Sequence, residues 1–437
     1  MTTDTVSPAA GIDTPCTAPA NTPRRVMIAS LAGTTIEFYD FYIFATAAAL
    51  VIGPTFFPGE SSQMQVLAAF MSFGLAFVAR PVGSLLFGHF GDRIGRKSTL
   101  VASLVLMGGA TVGIGLLPGY ESIGIGAPIL LCIFRLCQGL GIGGEWGGAA
   151  LLATENAPRG RRAFFGMFPQ LGPSLGFLLA NGVFLVILLS ISDEAFMAWG
   201  WRIPFLLSAV LVVIGLYVRT TLVESEVFSR EQQKPPGRAP LVELLRDHRA
   251  PLLQGTLAMV ACYAIFYITT VFTLNYATQT QGIDRGTFLG MLCFAIIFMA
   301  VATPLSALAC DRFGRKPVII SGLIFTMLVG LLLAPLISSA SLPLTLVFLC
   351  LGLTAMGWIY APMGALLPEL LPTRVRYSGA GVAYSLAGIL GASLAPYAAQ
   401  WLVANGGLSW VGHYIVGMAI LSLLAMLSVR ETRDNTL

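Results

Sequence analysis

Apolar residues in this chain of 437 residues gather into long runs, and polar residues interrupt them at short intervals. Six runs lie near 27–52, 64–90, 98–117, 127–152, 164–190 and 201–219. Six more lie near 252–278, 287–309, 317–337, 343–366, 378–402 and 409–428. A helix that crosses a bilayer needs about 20 apolar residues. The pattern therefore predicts an all-α membrane protein with twelve transmembrane helices. The gaps are short and hold turn formers such as Pro118-Gly119 and Ser192-Asp193-Glu194. One gap is longer and charged, Thr220–Arg249, with Pro235-Pro236-Gly237 inside it. The expected organisation is a disordered cytoplasmic tail over 1–23, a six-helix bundle over 24–219 and a cytoplasmic central loop over 220–250. A second six-helix bundle follows over 251–430, then a short cytoplasmic tail over 431–437. The first apolar run is too long and lies too far in for a cleavable signal peptide.

Composition agrees with lipid as the solvent. Hydrophobic residues make up 56% and charged residues 11%, against about 25% charged in a soluble domain. The net charge of +4 matters less than its placement. With the N-terminus inside, the inner segments hold Arg24, Arg25, Arg93, Arg96, Lys97, Arg159, Arg161, Arg162, the central-loop cluster, Arg312, Arg315, Lys316, Arg374, Arg376, Arg430 and Arg433. The outer loops hold only Arg285, with Arg202 at an outer helix end. That asymmetry places both termini on the cytoplasmic side, with the chain multi-pass in the membrane. The basic residues form no single patch, so no nucleic-acid partner is expected. The expected partners are the bilayer, a small metabolite and a proton, with the chain a monomer. Cys16, Cys132, Cys137, Cys262, Cys293, Cys310 and Cys350 form no CxxC pair and read as small packing residues. His89, His248 and His413 are scattered, so no metal site is expected. No Gly-x4-Gly-Lys-Ser/Thr loop occurs, so ATP is not the expected energy source and no cofactor is expected.

The two halves repeat. Gly91-Asp92-Arg93-Ile94-Gly95-Arg96-Lys97 follows the second run, and Cys310-Asp311-Arg312-Phe313-Gly314-Arg315-Lys316 follows the eighth. Glu155, Pro158 and Arg162 follow the fourth run as Glu369, Pro372 and Arg376 follow the tenth. Two related six-helix halves with a solute site between them near the midplane are a common transporter plan.

Ionisable groups inside apolar runs are the candidate chemistry, because each costs about 2.5–3.5 kcal/mol at the bilayer centre on insertion scales. Glu37 and Asp40 lie three apart on one face of the first helix. Two carboxylates in a partly dry site repel, which favours holding a proton. Asp40 lies nearer the midplane and is the preferred protonation site. A structural pair with Arg135 is the alternative. Arg135 is always charged and presents a planar fork. It fits two jobs, holding Asp40 or Glu37 when ionised and taking a solute carboxylate. Glu145 lies ten residues on, about 15 Å along the helix. It serves coupling or binding, or pairs with Arg93 or Arg80. Gln170, Asn181, Tyr263, Tyr267, Asn275, Tyr360 and Tyr384 are candidate cavity lining for a small hydroxylated or carboxylated solute, or else glue between helices.

The loop Gly88-x-x-x-Asp92-Arg93-x-Gly95-Arg96-Lys97 and the stretch Arg135-x-x-Gln138-Gly139 resemble signatures of the major facilitator superfamily. Ile36-Glu37-Phe38-Tyr39-Asp40-Phe41-Tyr42, Gly143-Gly144-Glu145-Trp146-Gly147-Gly148-Ala149 and Trp199-Gly200-Trp201-Arg202-Ile203-Pro204-Phe205 resemble the metabolite:proton symporter family, which includes shikimate, α-ketoglutarate, citrate and proline/betaine permeases. The resemblance implies two pseudo-symmetric six-helix bundles in the inner membrane of a bacterial cell and, with the proton gradient as the energy source, proton-coupled uptake of a small organic acid by alternating access. It also implies a cytoplasmic gate at Asp92, Arg93, Gly95, Arg96 and Lys97 and at Asp311, Arg312 and Arg315. Proton/drug antiport and passive facilitation are the alternatives of the same fold. The fifth helix carries Gly172-Pro173-x-x-Gly176 but then Phe177, with Phe168 where another glycine is expected. It thus departs from the antiporter signature.

Overall fold

The computed structural model describes residues 23–58, 61–94, 96–143, 145–155, 157–158, 160–220, 240–372 and 375–433. Within these, 23–26, 29, 88–94, 96–100, 152, 155, 218–220, 240–242 and 377 are described by backbone alone. The expected tails over 1–22 and 434–437, and most of the central loop, lie outside the described residues.

Eleven helical spans are long and apolar enough to cross a membrane, and a shorter apolar helix covers Val101–Leu116. Among the described residues there is no strand. In chain order the spanning helices are α1 (Pro23–Ala47), α2 (Ser62–Ile94), α3 (Arg96–Leu116), α4 (Gly126–Ile142), α5 (Arg162–Ser190) and α6 (Ile203–Thr220). The second set is α7 (Arg249–Tyr267), α8 (Arg285–Phe313), α9 (Arg315–Ile337), α10 (Leu342–Tyr360), α11 (Arg376–Gly388) and α12 (Leu408–Ser428). The chain is a multi-pass membrane protein. Its outward faces are apolar, as lipid requires: on α8 the exposed side chains are Phe294, Ile297, Phe298, Val301, Leu305 and Leu308, at helical spacing.

Several helices are interrupted where apolar continuity predicts none. α1 passes through a π turn at Ala48–Ile52 and α7 through one at Ile268–Phe272, 220 positions later. A third π turn, Ile389–Ser393, follows α11, and helix resumes at Leu394–Gly406. α4 stops at Ile142 and resumes as Trp146–Glu155. α10 stops at Tyr360 and resumes as Met363–Glu369. Glycine at 143 and 144 and proline at 362 weaken helical continuity at those joints. Gly143 also has a packing reason. A Cβ there would collide with the carbonyl of Arg80 on α2, and the Ser84 hydroxyl donates to the Gly143 carbonyl.

The sequence reads 220–250 as loop, yet Pro240–Asp247 is a short helix. Proline suits a first helical turn, and Leu244 is buried against α11, where Gly379 leaves room for its side chain.

Burial separates α1 and α7 from the rest. The apolar window of Ser30–Phe56 is 100% buried and that of Arg249–Gln279 is 94% buried, whereas the α8 and α9 spans are 44% buried. Polar groups on α1 and α7 therefore face other helices. Small residues bring the halves together: a Cβ on Gly364, beyond α10, would lie 2.6 Å from the carbonyl of Gly166 on α5.

Candidate functional site

Asp40 sits inside the first six helices and is fully buried. The Ser208 hydroxyl of α6 donates to its Oδ1 at 2.5 Å, and the Thr111 hydroxyl of α3 lies 3.4 Å from its Oδ2. Arg135 is also fully buried. It donates to the carbonyls of Ser72 (3.4 Å) and Phe73 (2.8 Å) and to Gln138 Oε1 (2.6 Å). Gln138 Nε2 then donates to the Thr111 hydroxyl at 2.7 Å. The expected direct hold of Arg135 on Asp40 is thus replaced by a chain, Arg135–Gln138–Thr111–Asp40. The physical reason is that two backbone carbonyls of α2 and the neighbouring glutamine already occupy the guanidinium fork. Its face lies over Phe44, 3.9 Å from the ring centroid. Tyr39 anchors the same stretch of α1 by donating to the Pro204 carbonyl at 2.9 Å. Glu37 is 2% exposed on α1.

Glu145 lies at the joint in α4 and accepts from the Ser103 hydroxyl at 2.6 Å. Both residues belong to the first half, and Glu145 has further interactions besides. Gln170 does cross between the halves: it accepts from Trp146 Nε1 at 3.1 Å and donates to the Tyr360 carbonyl at 3.0 Å. Asn275 also crosses, donating to the Ala49 carbonyl at 3.2 Å. It lines a cavity of about 870 Å³ with Ser62, Gln63, Tyr276, Gln279 and Gln400. That cavity lies at the end opposite the arginine-rich turns. Asn181 stays within the first half, accepting from Thr46 at 2.8 Å.

Aromatic rings fill the centre between the halves. Tyr263 and Tyr267 stack with centroids 6.4 Å apart and meet Phe77 at 6.2 and 5.7 Å. Trp146 stacks on Tyr384 at 4.0 Å, and the hydroxyls of Tyr360 and Tyr384 are 3.4 Å apart.

Sequence reasoning placed Arg80 only as a partner for Glu145. The structure puts it at this centre. It is 1% exposed, with its guanidinium 4.4 Å from the Phe41 centroid and 4.3 Å from that of Phe77. Its Nε and Nη1 are buried with no hydrogen-bond partner. Two ring contacts supply about 0.5–2 kcal/mol each, against several kcal/mol for removing the ion from water. The signal available earlier was a lone arginine in the middle of the second apolar run.

At the arginine-rich end the two sequence repeats diverge in what is described. The side chains of Asp92, Arg93, Arg96 and Lys97, and the whole of Gly95, lie outside the described residues. In the second repeat, Asp311 caps α5 in the other half instead of the helix that follows it. Its two oxygens accept from Ala163 N and Phe164 N, each at 3.0 Å, where the helix dipole favours an anion. The following helix, α9, is capped by Glu431, which accepts from Arg315 N (2.9 Å) and Lys316 N (3.0 Å). Arg315 lies 3.5 Å from Asp311 and pairs with Glu369 at 2.9 Å. Thr432 donates to the same Glu369 at 2.6 Å. Arg312 is exposed and lies over Phe313 at 5.2 Å, outside this network. Desolvation pushes the Glu431 carboxyl up, but its four backbone N–H donors outweigh that and hold it below the usual glutamate value. Ala163, Met167, Ala307, Cys310, Val318 and Ala365 form a buried apolar seal beside the Asp311 contact. Among the described residues, the central side chains of Arg80, Arg135, Tyr263 and Tyr267 are all buried.

Among the described residues, no group of three His, Cys, Asp or Glu side chains could hold a metal ion.

Known proteins resemble the chain along nearly its whole length. The sugar (and other) transporter family matches residues 25–240, and the major facilitator superfamily matches residues 286–436. The inner membrane metabolite transport protein YhjE of Escherichia coli (strain K12) is 52% identical over 425 residues, covering 96% of this chain and 97% of that protein. The shikimate transporter of the same strain is 37% identical over 417 residues, covering 94% and 95%. Among solved structures, a partially occluded inward-open form of the xylose transporter XylE from E. coli superimposes with a TM-score of 0.75 at 20% identity, covering 95% and 99%. That last likeness is one of fold.

Proposed function

Because the chain belongs to the major facilitator superfamily and is a transporter of metabolites, we propose that it imports a small carboxylated metabolite together with a proton. The observation that carries the reading is the shell of Asp40. Its described partners are two hydroxyls, from Ser208 and Thr111. A hydroxyl donates to a carboxylate and accepts from a carboxylic acid equally well. The same shell therefore fits both protonation states, whereas a direct arginine partner would favour only the ionised one. Arg135 adjusts to either state through Gln138 and Thr111. Its charge reaches Asp40 by a polar chain without fixing it.

The arginine-rich end is taken as cytoplasmic, by the excess of Lys and Arg there. Uptake then begins at the cavity around Asn275 and Gln400, while Asp311 on α5 and the Gly166–Gly364 crossing hold the cytoplasmic side shut. Release needs those contacts to part as the halves rock about the central site. The driving force is about 1.4 kcal/mol per pH unit, plus about 2.3 kcal/mol for each net charge per 100 mV of membrane potential. A carboxylated solute is supported by the central arginine and tyrosines, and by the 37% likeness to a protein named a shikimate transporter.

Labelled shikimate and a series of mono- and dicarboxylates, offered to energised membrane vesicles with and without an uncoupler, test this reading. Accumulation above the external concentration that collapses with the uncoupler is expected. Equilibration indifferent to the uncoupler would make the protein a facilitator, and energy-dependent depletion would make it an exporter.

A further inference from the structure

We propose that Arg80 is the docking point for the carboxylate of the transported solute, within a cage of Phe41, Phe77, Tyr263, Tyr267 and Tyr384 drawn from both halves. This rests on the reading of the solute as a carboxylate, and it assigns the anion to a different arginine from the one the sequence suggests. Arg135 and Arg80 flank the same ring, at 5.2 and 4.4 Å from the Phe41 centroid. Their environments differ in kind. Arg135 donates through all three nitrogens, to two carbonyls and a glutamine, so each of them is already engaged. Arg80 keeps Nε and Nη1 without partners while 1% exposed. Nε and Nη1 point to different sides of the guanidinium, so each offers its own N–H to an acceptor oxygen.

The surroundings suit a small oxygenated body attached to that carboxylate. Phe77 carries the cage across the interface to Tyr263 and Tyr267. Tyr263 meets Tyr384 ring to ring at 5.5 Å, and their buried hydroxyls interact only loosely, which leaves that of Tyr263 with capacity for a further partner. A buried hydroxyl with spare capacity and two buried guanidinium N–H groups thus lie within electrostatic reach of each other from opposite halves. A solute with a carboxylate at one end and a hydroxyl at the other would satisfy both. It would also tie the two halves together through the solute, which favours the closed centre. Glu37 lies within electrostatic reach of Arg80 and is the acid that competes with the solute for it.

The two arginines give opposite expectations on substitution. Arg80→Met removes a buried charge whose Nε and Nη1 lack hydrogen-bond partners and keeps the packing against Phe41 and Phe77. It should leave thermal stability unchanged or raised. Binding of the carboxylate should weaken by roughly 30-fold or more, the scale expected when a buried charge pair loses one partner. The experiment uses purified full-length protein. The melting temperature is followed against shikimate, its methyl ester, glycine betaine and xylose, for wild type, Arg80→Met and Tyr263→Phe. The proposal expects wild type to be stabilised by shikimate more than by its ester. Arg80→Met should melt no lower than wild type and lose the difference between acid and ester. Tyr263→Phe should keep that difference with weaker binding of both. A lowered melting temperature for Arg80→Met makes Arg80 a structural residue and overturns the proposal. So does an acid–ester difference that survives in Arg80→Met, and the carboxylate reading then still stands. Protection of wild type by xylose but by neither shikimate nor glycine betaine, which both carry a carboxylate, overturns the carboxylate reading itself, and the proposal with it.

Discussion

Asp40 and Arg135 do not touch: Gln138 and Thr111 stand between them, in hydrogen bonds of 2.6, 2.7 and 3.4 Å. Arg135 holds α2 and α4 together through the carbonyls of Ser72 and Phe73, so it acts first on the fold. Hydrogen bonds to charged groups contribute about 1.5–3 kcal/mol each. Arg135→Gln should therefore lower the melting temperature markedly and reduce the amount of folded protein. Arg135→Lys keeps the charge but loses the fork, and it should fall between the two. Thermal unfolding in detergent measures both. A normal melting temperature for Arg135→Gln would separate this residue from the packing role.

The Asp311 cap on α5 spans the two halves and should bias the protein towards the form closed at the cytoplasmic end. Asp311→Asn removes the charge while keeping an acceptor oxygen. The native Cys310, buried in the adjoining seal, reports the result. In protein with the other cysteines replaced, a polar maleimide should modify Cys310 about 10-fold faster in Asp311→Asn, equivalent to roughly 1.4 kcal/mol of closure. An unchanged rate would leave the cap without a gating role.

Glu431 gives a pH dependence with a defined sign. Its carboxyl is held below the ordinary glutamate value of 4.5. The stabilisation it provides is present above that value and fades as pH falls through its lowered folded value. Its side chain is partly exposed, so the effect is modest. As pH falls from about 5 to about 3, the wild-type melting temperature should fall towards that of Glu431→Gln. Parallel melting curves for the two proteins across this range would contradict the cap on α9.

Reading the chain alone reached the helix count, the two-fold repeat and the burial of Asp40 and Arg135, because each is set by apolar run length or by the cost of a charge in lipid. It missed the joints in α4 and α10, which fall inside long, largely apolar runs at Gly143-Gly144-Glu145 and at Pro362. It also paired Asp40 with Arg135 directly. Ser208 and Thr111 carry no charge and do not stand out in apolar runs, and Gln138 was read only as part of a motif. Arg80 was visible as an intramembrane charge. Its lack of partners was not, since partners come from α1 and α7, which are distant in sequence. The Asp311 cap shows the same limit: its partners are backbone N–H groups, which no sequence pattern marks.

Proton movement through Asp40 is the claim on which the account turns, and Asp40→Asn tests it most directly. The amide matches the shape of the carboxylic acid, so the variant should fold and exchange labelled for unlabelled solute across proteoliposome membranes. It should not take up protons. The decisive measurement is the pH of a weakly buffered external medium when solute is added to proteoliposomes. The account predicts alkalinisation with wild type and none with Asp40→Asn, while solute exchange persists in both. Alkalinisation of equal size in Asp40→Asn would contradict it.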